Sequence, residues 1–183
     1  IAGMGGDLIC KILKAKPEFL IEGKEFILQP QSEWFKIRRL LKEYRYQIEK
    51  EWFLKEDGKY YVIIKAEPAW TQPQRLKHQQ PSIHEYIKEI SETPANQAVS
   101  EKDMESIYEQ YGKYLIETKN PVLKEYLEKE ITKKESIATE LKQSIKEIES
   151  EELSGKERGN IAKRQRRYQE IQKEIRDMRK AIG

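Results

Sequence analysis

Three glycines and a methionine crowd one short stretch, Ala2-Gly3-Met4-Gly5-Gly6-Asp7, directly ahead of an apolar helical pattern. Ile1 and Ala2 read as the end of a buried strand, which puts the glycines at its carboxyl end. In open α/β sheets ligands bind outside those ends. A turn with so little side chain beyond Met4 lets a ligand or a bulky base approach the backbone. A tight strand-to-helix turn with positive φ would need the same glycines, and the residues alone leave both readings open. Gln29 and Pro30 close the next strand, so the Gln29 amide would share that rim, although a glutamine at a strand end also serves as an ordinary loop contact. Gly3, Met4, Gly5 and Gly6, with Gln29 and Pro30, form the candidate site.

A second cluster is basic. Between Gly159 and Gly183 eight basic residues stand against three acidic ones, and "KRQRR" concentrates Lys163, Arg164, Arg166 and Arg167 near Lys156 and Arg158. Such a patch suits nucleic-acid phosphates, which supply affinity without sequence information. The competing reading is a solvated helix face paired with Glu147, Glu149 and Glu151. Elsewhere the residues offer less. His78 and His84 have no cysteine nearby, and no metal site is expected. Cys10 lies on an apolar helix face and reads as core. Asp7 and Glu67 could face the rim, but a carboxylate at a helix start is explained by capping and the helix dipole.

These groups need elements to position them. "KEFILQP" reads as a short strand buried on both faces, as in a parallel sheet. In "SEWFKIRRLLKEY" Ser32 is placed to cap a helix whose apolar face carries Trp34, Phe35, Ile37, Leu40, Leu41 and Tyr44. Asp57-Gly58 between two strand-like runs signals a hairpin. Strands alternating with helices imply a parallel sheet with helices on its faces, and the hairpin adds one antiparallel strand. The fold class is therefore α/β, the second half of an open, doubly wound Rossmann-like sheet. No G-x-G-x-x-G turn is present in the sequence to hold a nucleotide-like cofactor. Residues 69–103 are rich in Gln, Pro and Ser and read as a polar insertion, with a short helix carrying Ile83, Tyr86, Ile87 and Ile90. Residues 104–183 read as a helical domain. In it Ile131, Ala138, Leu141, Ile145 and Ile148 keep heptad spacing apart from Lys134. After "SGKERGN", Ile161, Tyr168, Ile171, Ile175, Met178 and Ile182 do so apart from Arg164. The two runs predict an antiparallel coiled-coil hairpin, with Leu141 beside Tyr168 and Ala138 beside Ile171.

Composition narrows the class. Charged residues make up 37% of the 183 and aromatics 9%, enough for a modest core under a heavily charged surface. A net charge of +3 does not announce a nucleic-acid partner until the charges are located. One cysteine rules out an internal disulfide and fits a cytoplasmic setting. No apolar run is long enough to span a bilayer, so no membrane partner is expected.

In order and spacing these pieces resemble the bacterial tRNA (adenine(22)-N1)-methyltransferases. The resemblance rests on "AGMGGDLICKIL", "FILQP", "IEKEWFLKEDGKYYVIIKAE" and "YGKYLIETKNPVLKEYL", covering the chain apart from about residues 69–100. Gln31 stands where the family often has Asn. The resemblance implies a class I methyltransferase domain (its C-terminal half at residues 1–68), followed by a helical coiled coil. It implies S-adenosyl-L-methionine as cofactor, touched by Ala2, Gly3 and Met4, and tRNA as partner, held by Lys156, Arg158, Lys163, Arg164, Arg166 and Arg167. Gly3, Met4, Gly5 and Gly6 would line the space between cofactor and base, with Gln29 and Pro30 on the neighbouring wall. The family's main cofactor-gripping strands precede the glycine turn, so these 183 residues alone are expected to be inactive. A monomer is expected. A non-catalytic RNA-binding or assembly module, or a methyltransferase acting on another substrate, are the alternatives.

Overall fold

The computed structural model describes residues 1–22, 24–69, 95–149 and 155–183, and no helix among them is long and apolar enough to cross a membrane. They form two compact units, residues 1–120 and 121–183. The first opens with β1 (Ala2–Met4), α1 (Gly6–Ala15), α2 (Pro17–Ile21) and β2 (Phe26–Pro30). It continues through α3 (Trp34–Glu43) to the hairpin strands β3 (Tyr46–Glu56) and β4 (Lys59–Pro68), then α4 (Ala95–Tyr111) and α5 (Lys113–Glu117). The strand order is β1-β2-β4-β3, with β1 and β2 parallel and β4 antiparallel to both neighbours. The alternation of strands and helices thus folds as expected. The hairpin turns through Asp57 (φ 47°) and Gly58 (φ 75°), two left-handed residues that match the twist of paired strands.

Every second residue of β4 points into the core: Val62, Ile64 and Ala66 are fully buried. Ile9 and Leu13 of α1, Leu28 of β2, Ile37, Leu40 and Leu41 of α3 and Phe53 of β3 complete this core. Each such side chain contributes about 1.5–3 kcal/mol by leaving water. Trp34 meets Phe53 edge-on, with ring centroids 5.3 Å apart.

The expectation that β2 is buried on both faces does not hold. Leu28 is fully buried, but Ile27 is 57% exposed. The strand order supplies the reason. From β1 to β2 and from β2 to β3 the chain moves the same way across the sheet, and right-handed crossovers then place α1, α2 and α3 on one face. Ser32 does not cap α3 either. The residue before that helix is Glu33, left-handed at φ 54°, with no side-chain capping bond. In the polar insertion, residues 70–94 lie outside the described residues, and with them His78, His84 and the expected short helix. From Ala95 the chain is already helical, because nothing between Ala95 and Tyr111 breaks a helix. Residues 104–120, read from sequence with the C-terminal helices, belong to the first unit.

Buried Ile107 and Tyr111 and a set of charged contacts tie α4 to that unit. Arg38 Nε donates to Glu51 Oε1 at 2.8 Å, and both side chains are buried. Arg38 Nη1 donates to the Glu109 and Gln110 carbonyls at 3.1 and 2.9 Å, satisfying the end of α4. Gly112 (φ 93°) follows at once, and a Cβ there would sit 2.5 Å from Glu51 Oε2.

The second unit is a pair of antiparallel helices, α6 (Pro121–Glu149) and α7 (Gly155–Ile182). Ile131, Ala138 and Ile145 of α6 are buried, as are Ile161, Ile171, Ile175 and Met178 of α7. Leu141 and Tyr168 are half-buried, and Ala181 takes the buried place expected of Ile182. Each of the two heptad exceptions finds a polar partner on the opposite helix. Lys134 bonds Glu174 of α7, and Arg164 bonds Ser144 Oγ of α6 at 2.7 Å. From the first contact to the second α6 advances ten residues while α7 retreats ten, as an antiparallel pair requires.

Candidate active site

The rim is built where β1 and β2 end side by side. In the register Ala2 lies opposite Gln29 and Met4 opposite Pro30, so Gly3 is an extra residue in β1, a bulge. Its φ of 77° is one that L side chains rarely adopt. The bulge turns the Gly3 amide out of the ladder, and the Gln29 side chain takes it: Gly3 N–H donates to Gln29 Oε1 at 3.0 Å. On either side the ladder is intact, with Gln29 N–H to the Ile1 carbonyl at 2.8 Å and Gln31 N–H to the Met4 carbonyl at 2.9 Å. Orienting Oε1 toward an N–H leaves Gln29 Nε2 buried, with no hydrogen-bond partner among the described residues.

The glycines differ in role. A Cβ on Gly3 would meet no described residue within 4 Å. Gly5 is tighter, its Cβ position 3.1 Å from Ser32 Oγ. Gly6, expected to line the open space, is buried instead: a Cβ there would lie 2.6 Å from the Glu33 carbonyl and 2.8 Å from that of Ser32. Its function is close packing of two loops. Pro30 is likewise buried, while Met4 is half-buried and Ala2 and Gly3 are exposed.

The start of α1 is not an open anion site. Gly6 N–H donates to the Ser32 carbonyl at 2.9 Å and Asp7 N–H to Glu33 Oε2 at 3.2 Å. Glu33 of the β2–α3 loop therefore caps α1, a long-range cap that no local pattern signals. Lys36 ties the corner together, bonding Asp7 Oδ1 at 2.9 Å and Glu33 Oε1 at 2.5 Å. Hydrogen bonds from Lys11 and then Lys36 hold the Asp7 carboxyl at about 2, and the Lys36 bond lowers Glu33 as well. Neither carboxylate is a base at neutral pH. Cys10 donates its Sγ to the Lys36 carbonyl at 3.5 Å, and burial pushes its thiol up, so it is no nucleophile. Glu67, another rim candidate, accepts from Lys65 at 3.0 Å, and Lys65 also bonds Glu25 at 2.9 Å.

The rim thus combines a glycine bulge, an exposed backbone and a buried amide donor, with the surrounding charges paired. The model for the tRNA (adenine(22)-N(1))-methyltransferase family matches residues 1–93, which include this whole rim. The chain belongs to that family. The tRNA (adenine(22)-N(1))-methyltransferase of Bacillus subtilis strain 168 is 45% identical over 67 residues, covering 37% of this chain and 28% of that protein. Among solved structures, the B. subtilis m1A22 tRNA methyltransferase TrmK superposes over the whole chain and 62% of its own, with a TM-score of 0.62 and 23% identity. TrmK of M. capricolum in complex with S-adenosyl-homocysteine gives a TM-score of 0.57 at 20% identity, over the whole chain and 57% of its own. The chain thus spans less than two thirds of these relatives, and the solved structures show the shared fold.

Two residues of this family member's rim were hidden in the sequence. Glu33 acts through space on a helix more than twenty residues earlier, and Ser32 works through its carbonyl. In the second unit, Lys163 is exposed, while the side chains of Lys156 and Arg158 lie outside the described residues. Arg166 bonds Glu170 at 3.5 Å, and Arg167 bonds Glu170 and Glu174 at 3.2 and 3.4 Å. Arg164 is half-buried against Ser144.

Proposed function

We propose that the protein to which this chain belongs transfers a methyl group from S-adenosyl-L-methionine to N1 of an adenine in tRNA, position 22 by family. The observation that carries this reading is the family match across the glycine bulge and the strand beside it. When bound, the cofactor supplies an electrophilic methyl group on a sulfonium. The residues present fit one wall of its site: Ala2, Gly3 and Met4 offer backbone that a flat ligand can approach, since no described residue stands within 4 Å of the missing Gly3 side chain. Adenine N1 has its own lone pair, so the protein need not supply a strong base, and the paired state of Asp7 and Glu33 is compatible with that. Catalysis then rests on holding the base in line with the methyl group. A base engaged in tRNA tertiary structure must first be exposed.

The basic end of α7 would hold the tRNA backbone through phosphates and shape. Lys163 and Arg166 are the more available of its cations, Arg166 having a side chain 84% exposed. The α6–α7 pair would pack as a coiled coil, with Arg164 serving that packing. The protein would work in the cytoplasm as a monomer. Full-length gene product, labelled S-adenosyl-L-methionine and unmodified tRNA, followed by nucleoside analysis, test the reading. Labelled 1-methyladenosine at position 22 is the expected result. No labelled nucleoside from folded, cofactor-binding protein would overturn it in favour of an RNA-binding module, and label on another nucleoside would change the substrate.

A further inference from the structure

We infer that Gln29 is a two-handed positioning residue, holding the Gly3 bulge with Oε1 while offering Nε2 to a hydrogen-bond acceptor on the base that receives the methyl group. The inference rests on the methyl-transfer reading above for its second hand only.

The first hand follows from the ladder. In regular parallel pairing the Gly3 N–H would go to a main-chain carbonyl of β2. The bulge removes that option and leaves the exposed Gly3 N–H without a main-chain partner in the ladder. Gln29 stands directly opposite Ala2, one residue before the bulge, and its side chain reaches the displaced amide at 3.0 Å. The turn's shape is thus set by a side chain on the neighbouring strand as well as by glycine.

The second hand follows from amide chemistry. Once Oε1 is committed to a donor, the other end of the amide must be NH2, which only donates. Nε2 is buried and makes no hydrogen bond to any of the described residues. Its neighbour Gly3 has no described residue within 4 Å of where a side chain would be. A buried donor beside that position selects a ligand edge carrying a ring nitrogen or carbonyl. Adenine offers ring-nitrogen acceptors besides N1, and its exocyclic amine is a donor that Nε2 would reject.

Two substitutions separate the hands. Gln29→Glu keeps an oxygen for the Gly3 N–H and replaces the donor by an acceptor, whereas Gln29→Met removes both at similar size. The expected result is that Gln29→Glu keeps slow hydrogen exchange at the Gly3 amide and the affinity for tRNA, while its buried carboxylate lowers thermal stability. Its single-turnover methylation rate falls roughly 10- to 100-fold, the loss of one well-placed hydrogen bond. Gln29→Met loses the rate and also speeds Gly3 exchange. A wild-type rate in Gln29→Glu overturns the donor role, and unchanged Gly3 exchange in Gln29→Met overturns the latch. If wild-type protein itself transfers no methyl group, the functional reading fails and takes the donor role with it. Gly3 exchange still decides the latch.

Discussion

Gly3 and Gly6 are three residues apart in one turn, yet they are glycine for different reasons, and substitution separates them. Alanine at Gly3 meets no described residue within 4 Å but must adopt φ 77°, a cost of about 1–2 kcal/mol. Its methyl would project into the space assigned to the ligand, so Gly3→Ala is predicted to lose methyl transfer far more than stability. Alanine at Gly6 must displace two backbone carbonyls, at 2.6 and 2.8 Å, and is predicted to cost about 3 kcal/mol in urea unfolding. Equal stability of the two variants would remove the distinction. Asp7 provides a pH signature at the same scale. Its carboxyl is held at about 2 in the fold against an ordinary 3.8, so its ion pairs stabilise the corner fully above about pH 4. That stabilisation is lost as pH falls through about 2. A carboxyl NMR titration should place Asp7 near 2 and move it upward in Lys36→Met; an ordinary midpoint in the parent would contradict the network. The sequence announced the glycines and misassigned Gly6, because close approach to a loop more than twenty-five residues away is not a local property.

Among the elements, α4 joins the first unit through a buried ion pair as well as through Ile107 and Tyr111. Arg38 and Glu51 are both buried, and burial pushes the Glu51 carboxyl up even with Arg38 beside it to lower it. Removing one partner strands the other charge. Arg38→Met is predicted to cost about 3–5 kcal/mol, and adding Glu51→Leu should recover part of that loss. A double-mutant cycle by chemical denaturation reads both numbers, and strict additivity would mean that the pair is not coupled. Nothing in "WFKIRRLL" distinguishes the buried Arg38 from the exposed Arg39. The strands were more legible. Alternation in "YYVIIKAEP" and the Asp-Gly turn are local and survive in the fold unchanged. Ile27 shows the opposite case, since its exposure follows from strand order.

At the level of the whole molecule, the charge on α7 is the feature we propose to meet tRNA. Reversing Lys163, Arg166 and Arg167 to Glu should weaken tRNA binding and lower the slope of log affinity against log salt by about two to three. Arg164→Ala should act on the stability of the helix pair, because Arg164 bonds Ser144. Unchanged affinity in the triple variant would make this helix structural only. The sequence by itself determined the strand and helix alternation, the hairpin and the antiparallel helix pair, because propensity, turn chemistry and hydrophobic period are written in neighbouring residues. Tertiary structure alone decided which face of β2 is covered, that Glu33 caps α1, that residues 104–120 join the first unit, and that Gln29 replaces a ladder bond at Gly3. Each of these depends on distance in space between groups far apart in the chain, and that distance exists only once the sheet has chosen its strand order.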